Sequence, residues 1–398
     1  MASEDLLFCR KKITEYQNIF VTLRSTIIHI KMLTKFAVTN YRGFANRIEW
    51  DLSNPANYEF NKHVIKDGVI KNGIIYGPNG SGKTNFSLAL FDIEYHLSYK
   101  WKKIDYYNNF IYAGDKSGVV LFEYSFRFGE DIIDYNYGKN AEGKLVEESL
   151  SVNHKNVFER KKNSFRIDKN QFSIDEGIEK NLEDNANNVS IINFLMTSFP
   201  LGADHYLMKL TSFVNSMLWF RSVDVREFIG LDTRITALDE FIISNNLLED
   251  FSTFLYKVSG QRFKFVEHTV TDKEILCIID DNTIPFKHVA STGTGSLQLL
   301  YFWLKRMNEA SFVFIDEFDA FYHFRLAFEV CKQLFDLNCQ IFTSSHNTYL
   351  MTNDLLRPDC NFILNNNKIK CLADCTDKEL RFGHNIEKIY RAGAFNHE

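Results

Sequence analysis

The chain has 398 residues, 45% of them hydrophobic and 15% aromatic, with 46 Lys and Arg against 51 Asp and Glu for a net charge of −5. That balance argues against a surface built to coat nucleic acid, although a local basic groove stays open. The length suffices for one large or two small domains with a sizeable core, and only five prolines argue against long linkers.

Residues 1–31 precede the first strand pattern and are expected to lie outside the core, as an extension or a misassigned start. Met32 could itself open the chain. The apolar stretch Ile19 to Phe36 is broken by Arg24, His29, Lys31 and Lys35, so it does not read as a membrane span, and no secretory leader pattern is present. Leu33 to Val38 reads as a strand, and alternation continues to Leu52 with Arg42-Gly43 at a turn.

Gly73-Ile74-Ile75-Tyr76 is a short apolar run suited to a buried strand. It leads into Gly77-Pro78-Asn79-Gly80-Ser81-Gly82-Lys83-Thr84, a complete G-x-x-x-x-G-K-T phosphate-binding loop. Asn85 to Phe91 then reads as a helix. Strand, glycine-rich turn and helix are the context the motif requires. The glycines let backbone N–H groups converge on phosphates at a helix N-terminus, where the dipole favours anions. Lys83 supplies a point charge for the β- and γ-phosphates, and Thr84 a hydroxyl for Mg²⁺. The pattern implies a nucleoside triphosphate with Mg²⁺, held by Gly77 through Asn85, without choosing among kinases, GTPases, motors and ATPases.

Farther along, Val119–Phe128 and Ile132–Tyr137 look like paired antiparallel strands joined by Gly129-Glu130-Asp131. The basic spots Lys100-Trp101-Lys102-Lys103 and Arg160-Lys161-Lys162, with Arg166 nearby, read as solvated faces. Asn163 to Asn188 is polar and Asn-rich, hence a loop. Ile191 to Val223 and Ile235 to Tyr256 carry helical apolar spacing, and Phe263 to Ile279 returns to strand character. No internal repeat and no long heptad run is present.

Ala290-Ser291-Thr292-Gly293-Thr294-Gly295-Ser296 runs straight into an apolar helix through Trp303. This is a second helix start rich in small donors, hence a second potential anion site, or more simply a helix capped by Ser291 or Thr292. Gln298 stands where a dinucleotide fingerprint needs its third glycine, so that reading fails. Ser311-Phe312-Val313-Phe314-Ile315-Asp316-Glu317 is an apolar strand ending in two acids. Asp316 suits Mg²⁺ and Glu317 suits polarising the attacking water. Gln340 to Ser345 is another apolar strand, followed by His346, whose neutral imidazole could bond a γ-phosphate oxygen.

The seven cysteines form no C-x-x-C pair. Cys371 and Cys375 have the wrong spacing for a zinc knuckle, and Cys277, Cys331 and Cys339 sit in apolar runs as small core residues. A reducing, cytoplasmic setting is expected.

The order of motifs resembles the ATP-binding cassette ATPases, in the SMC/RecF/OLD-type branch rather than among membrane transporters. It is most similar to bacterial stand-alone ABC-type ATPases of the abortive-infection class, often labelled AAA ATPases. The likeness runs from about Leu33 to Phe395. It rests on Phe36–Phe44, Ile315–His323, Ser345–Thr348, Leu355–Asp359 and His384–Phe395. It implies an α/β P-loop fold of ABC type with an antiparallel sheet and an inserted helical lobe. The expected division is an extension over 1–31, the first part of the ATPase lobe over 32–160, a mainly helical insert over 161–287, and the signature helix, Walker B strand, switch histidine and C-terminal part over 288–398.

The resemblance further implies ATP sandwiched between two protomers. Lys83, Thr84, Asp316 and Glu317 of one would face Ser291 and Gly293 of the other, with His346 as the switch histidine and Asp319 as the D-loop acid. The signature lacks its usual Gly-Gln ending, and the Q-loop glutamine has no clear place, with Gln171 and Gln261 upstream. The function implied is a regulatory ATPase of anti-phage defence acting with a separate effector. A DNA-binding repair ATPase of RecF type is the alternative. A self-contained OLD-type nuclease is disfavoured by the short stretch after His346.

Overall fold

The computed structural model describes residues 31–98, 106–115, 118–161, 164–184, 189–222, 228–231, 237–268 and 273–395. The extension over 1–30 and the basic spot at 100–103 lie outside these residues.

Two seven-stranded sheets organise the molecule. The first is antiparallel throughout, with Lys31–Thr39 paired to Ile48–Asp51 on one side and to Val120–Phe128 on the other. A meander then runs outward through Asp131–Lys139, Leu145–Val152, Lys155–Lys161 and Ser164–Ile167. Its alternation is plain in Val120–Phe128, where every second side chain is buried. The expected turn at 129–131 is there, with Gly129 in the left-handed region at φ 68°.

The second sheet runs Phe228–Gly230, Leu218–Arg221, Phe312–Asp316, Gln340–Ser345, Asn72–Tyr76, Asn361–Asn365 and Lys368–Cys371. The five central strands are parallel and the two edge strands antiparallel. Asn72–Tyr76, Phe312–Asp316 and Gln340–Ser345 are buried at every position, which is why their apolar residues, Ile74 to Tyr76, Phe312 to Ile315 and Ile341 with Phe342, stand side by side rather than alternating. The protein is thus a mixed α/β P-loop fold carrying a large antiparallel sheet.

Aromatic packing joins the two sheets. Trp50, from the antiparallel sheet, meets Phe342 and Phe362 of the parallel sheet at ring-centroid distances of 4.5 and 5.4 Å. It also meets Phe86 of the helix after the phosphate loop at 5.7 Å. Truncating a residue so placed costs roughly 3–5 kcal/mol. A polar clamp lies beside it. The buried Gln340 amide accepts from the Leu33 N–H at 3.0 Å and donates to the Leu33 and Ile70 carbonyls at 2.9 and 3.0 Å.

Three readings change. The helical pattern from Ile191 to Val223 is helix only over Ile191–Ser198 and Tyr206–Asn215; Leu218–Arg221 is a strand of the parallel sheet. Its run Leu218-Trp219-Phe220 is apolar at consecutive positions, which suits a strand buried on both faces and cannot be told from helix by periodicity. The polar stretch from Asn163 contains the strand Ser164–Ile167 and the helix Glu176–Asp184, anchored by buried Phe172 and Leu182. Residues 161–287 therefore contribute strands to both sheets as well as helices. Finally, Arg160 is no solvated cation. It is fully buried and pairs with Glu148 at 3.1 Å, while Lys161 is exposed.

Helices Leu238–Ser244 and Leu248–Ser259 pack on the helix Thr292–Arg306 through Phe241 against Phe302 and Phe251 against Tyr301, with ring centroids 4.8 and 4.9 Å apart. Cys277, Cys331 and Cys339 are buried. Among the described residues no helix is long and apolar enough to cross a membrane.

Candidate nucleotide site

The parallel strands all end on one edge of their sheet, where open α/β sheets bind ligands. Tyr76, Arg221, Asp316 and Ser345 are the last residues of four of them. The phosphate loop leaves Tyr76 and turns into the helix Lys83–Leu90. Gly80 and Gly82 adopt φ of 79° and 97°. A Cβ at Gly82 would stand 2.8 Å from the Phe44 ring, and one at Gly77 would stand 2.6 Å from Ser81 Oγ. The loop therefore requires glycine for conformation and for space.

Lys83 is buried and donates from Nζ to the Gly77 and Pro78 carbonyls at 2.9 and 3.3 Å. Burial pulls its pKa below the ordinary lysine value, against the opposing pull of Asp316 and Glu317. Among the described residues, buried Ser81 Oγ has no hydrogen-bond partner. An orphaned hydroxyl inside a glycine-rich loop at a helix N-terminus fits a phosphate.

The Thr84 hydroxyl donates to Asp316 Oδ2 at 2.8 Å. Asp316 is wholly buried, and its Oδ1 accepts from Ser344 Oγ at 2.6 Å. Ser344 Oγ in turn accepts from the Glu317 N–H at 2.8 Å. A hydroxyl and one carboxylate form an all-oxygen donor set, which suits Mg²⁺ completed by phosphate and water oxygens. Among the described residues no cluster of three or more His, Cys, Asp or Glu side chains offers a different kind of metal centre.

Glu317 has φ 51°, a left-handed conformation strained for a glutamate. Strain of that kind, held by Ser344, aims the residue after the Walker B strand rather than letting it extend the strand. His346 follows the neighbouring strand. Burial and the Lys83 charge lower its pKa, while Glu317, Asp316 and the Gly77 backbone pull the other way. The net direction keeps the imidazole neutral at pH 7, able to accept as well as donate. Ser345 Oγ donates to Asp319 Oδ2 at 2.8 Å, and burial raises the Asp319 pKa.

Other expected site residues make contacts of their own. Ser291 is the exposed N-cap of the helix Thr292–Arg306, its Oγ accepting from the Thr294 N–H at 3.2 Å. A Cβ at Gly293 would come within 3.1 Å of the Phe321 carbonyl. The hydrogen bonds seen for Ser291 are local to its own helix start. Asn85 accepts from Arg42 at 2.9 Å, tying the turn after the first strand to the first turn of the phosphate-loop helix. Gln261 bonds Thr294 at 3.1 Å, and Gln171 bonds Tyr206 and Asp168.

Sequence reading missed Arg221. Its guanidinium donates to Asp316 Oδ2 from both Nε and Nη2 at 3.2 Å, and Nη2 lies 3.3 Å from Thr84 Oγ1. The one signal available is an arginine closing the apolar run Leu218-Trp219-Phe220, whose spacing fits helix as well as strand.

A protein-family model described as "AAA domain, putative AbiEii toxin, Type IV TA system" matches residues 74–352. The span takes in Gly77–Thr84, the helix start at Ser291, the strand ending in Asp316 and His346. No curated protein matches. Similar solved structures include the SMC head domain from Thermotoga maritima, with 17% identity, a TM-score of 0.43, and coverage of 85% of this chain and 98% of that one. An Smc head domain with an extended coiled coil, bound to the C-terminal domain of ScpA from Pyrococcus furiosus, has 15% identity, a TM-score of 0.42, and coverage of 86% and 96%. The recombination mediator RecF with ATP has 13% identity, a TM-score of 0.40, and coverage of 86% and 100%.

Proposed function

The chain belongs to the AAA-domain family matched over residues 74–352, and from that premise we propose that it binds and hydrolyses ATP with Mg²⁺ as the regulatory subunit of an abortive-infection system. The observation that carries the site assignment is the convergence of Thr84, Asp316 and Glu317 beside Lys83 at one sheet edge.

In this reading Gly77 through Thr84 wrap the phosphates with backbone N–H groups, and Lys83 leaves its carbonyl partners to meet them. Thr84 and Asp316 would hold Mg²⁺, which would supply charge to offset that of the phosphates. Glu317, fixed by Ser344, orients the attacking water and takes its proton. Neutral His346 donates to or accepts from the γ-phosphate side. Catalysis is then positioning and charge compensation rather than covalent chemistry.

Two protomers complete the site. Ser291 and Gly293 stand at a helix start with donors but no phosphate-binding lysine, so they form half a site that a partner's phosphate loop completes. The preference for ATP in the closed dimer would drive closure, and hydrolysis would release it.

The defence role rests on the family's description and on the sequence resemblance. It is tested by expressing the chain with its neighbouring genes in a bacterial host under phage challenge. Protection that needs a separate effector gene and is lost with Lys83→Ala supports it. Strong DNA affinity that falls steeply with salt, without protection, supports a repair ATPase instead.

A further inference from the structure

Both oxygens of Asp316 are engaged. Oδ1 is taken by Ser344, and Oδ2 by Thr84 and by two nitrogens of Arg221. Arg221 Nη2 also lies 3.3 Å from the Thr84 hydroxyl oxygen. The two groups that would ligate Mg²⁺ are thus already served by a fixed positive charge belonging to the chain.

The Arg221 backbone is pinned on both sides. Two residues earlier, the buried Trp219 Nε1 donates to Ser87 Oγ at 3.0 Å, fixing the strand to the phosphate-loop helix. One residue later, the Ser222 N–H donates to the Asp316 carbonyl at 3.3 Å. Only side-chain rotation can lift the guanidinium off the carboxylate, and the side chain, 24% exposed, has solvent on its open side. The Ser222 carbonyl faces Ser296 Oγ of the signature helix at 3.5 Å, so the pivot lies against the element expected to meet the partner.

Resting on the reading of Thr84 and Asp316 as Mg²⁺ ligands, we propose that Arg221 is a built-in counter-ion that competes with the metal for them. Metal binding must displace the guanidinium, because a divalent cation on Thr84 and Asp316 would stand within a few ångströms of it in a half-buried site where like charges repel strongly. The fork sets a threshold. Metal alone binds poorly, and metal arriving with nucleotide, whose phosphates give both cations a partner, binds well. Arg221 is in this account a positioning residue for the metal ligands.

The test reads metal uptake, not turnover. Mn²⁺ is titrated into nucleotide-free protein, and free Mn²⁺ is followed by electron paramagnetic resonance. Arg221→Gln, which removes the charge, should tighten Mn²⁺ binding on the order of tenfold. Arg221→Lys, which keeps the charge but loses the two-nitrogen grip, should tighten it by a smaller factor, about threefold. Mn²⁺ affinity equal to or weaker than wild type, in whichever variant retains a wild-type melting profile, overturns the proposal. Wild-type uptake lost in Thr84→Ala upholds the ligand assignment beneath it. Wild-type uptake that survives Thr84→Ala overturns both together.

Discussion

Thr84 and Asp316 are 232 positions apart in the chain, and their side chains meet at 2.8 Å. The first stands in the first turn of the phosphate-loop helix and the second ends the Walker B strand, two strands away across the sheet. The contact is made because strands Phe312–Asp316, Gln340–Ser345 and Asn72–Tyr76 run parallel in register and finish on the same edge. Ser344, in the strand between, completes it by bonding Asp316 and the Glu317 N–H together.

Glu317→Gln should bind ATP at near wild-type affinity and hydrolyse it roughly a hundredfold more slowly or worse, the usual cost of losing a general base. The change keeps size and hydrogen bonding and removes the charge. Light scattering with ATP should show an accumulated dimer. Wild-type turnover would move the base elsewhere.

If Ser291 acts across two protomers as proposed, Ser291→Arg should leave nucleotide binding by the monomer nearly intact and block hydrolysis, by bulk at the proposed dimer surface. Mixing it with Lys83→Ala then gives dimers with one composite site, made from the intact loop of the first and the intact Ser291 turn of the second. Partial recovery of turnover on mixing is expected. Normal hydrolysis by Ser291→Arg alone would leave Ser291 as no more than the helix cap it forms within its own chain.

Arg160→Leu should lower stability by roughly 3–5 kcal/mol, because it strands Glu148 as a buried, uncompensated charge. Both side chains are fully buried, and Glu148 also takes hydrogen bonds from Tyr135, Ser190 and the Ile191 N–H. The double variant Arg160→Leu with Glu148→Gln, which removes the stranded charge and keeps an acceptor for those donors, should recover part of the loss in chemical denaturation. An unfolding midpoint unmoved by Arg160→Leu would show that the pair does not hold the helix Ile191–Ser198 on the meander.

His346 supplies a pH dependence. Its folded pKa lies below the ordinary histidine value. As pH falls through the ordinary value the unfolded chain takes up its proton before the folded one, so this group's contribution favours folding above that value and is lost below it. Activity carried by the neutral imidazole should therefore hold from pH 8 down past about 6.5, the unperturbed histidine value. Turnover in His346→Gln, measured across the same range, should lack the acid limb that wild type shows below it. An identical limb in both proteins would assign it to another group.

The strands that carry the candidate site were legible because burial on both faces places apolar residues side by side, and because the phosphate-loop motif and the Asp-Glu pair are specific residue types at fixed spacing. The meander was legible from alternation, as Val120–Phe128 shows. What escaped was set by distant pairing. Leu218–Arg221 is a strand because a parallel edge of Phe312–Asp316 receives it. Ser164–Ile167 is a strand because it adds to Lys155–Lys161. Arg160 looked like a surface cation because nothing local announces Glu148. The strained backbone of Glu317 is likewise invisible in a letter string, since it depends on Ser344 in another strand.

The central claim is a Mg²⁺–ATP site built on Lys83, Thr84 and Asp316, and calorimetric titration of wild type and Lys83→Ala with ATP and Mg²⁺ tests it most directly. Removing the buried ammonium deletes the loop's charged phosphate contact, about 3 kcal/mol for a charge-assisted hydrogen bond, and so should weaken ATP on the order of a hundredfold. The same loss should be absent for the overall fold, with melting curves that superimpose without nucleotide and separate with it. A folded Lys83→Ala protein that binds ATP as tightly as wild type would contradict the account.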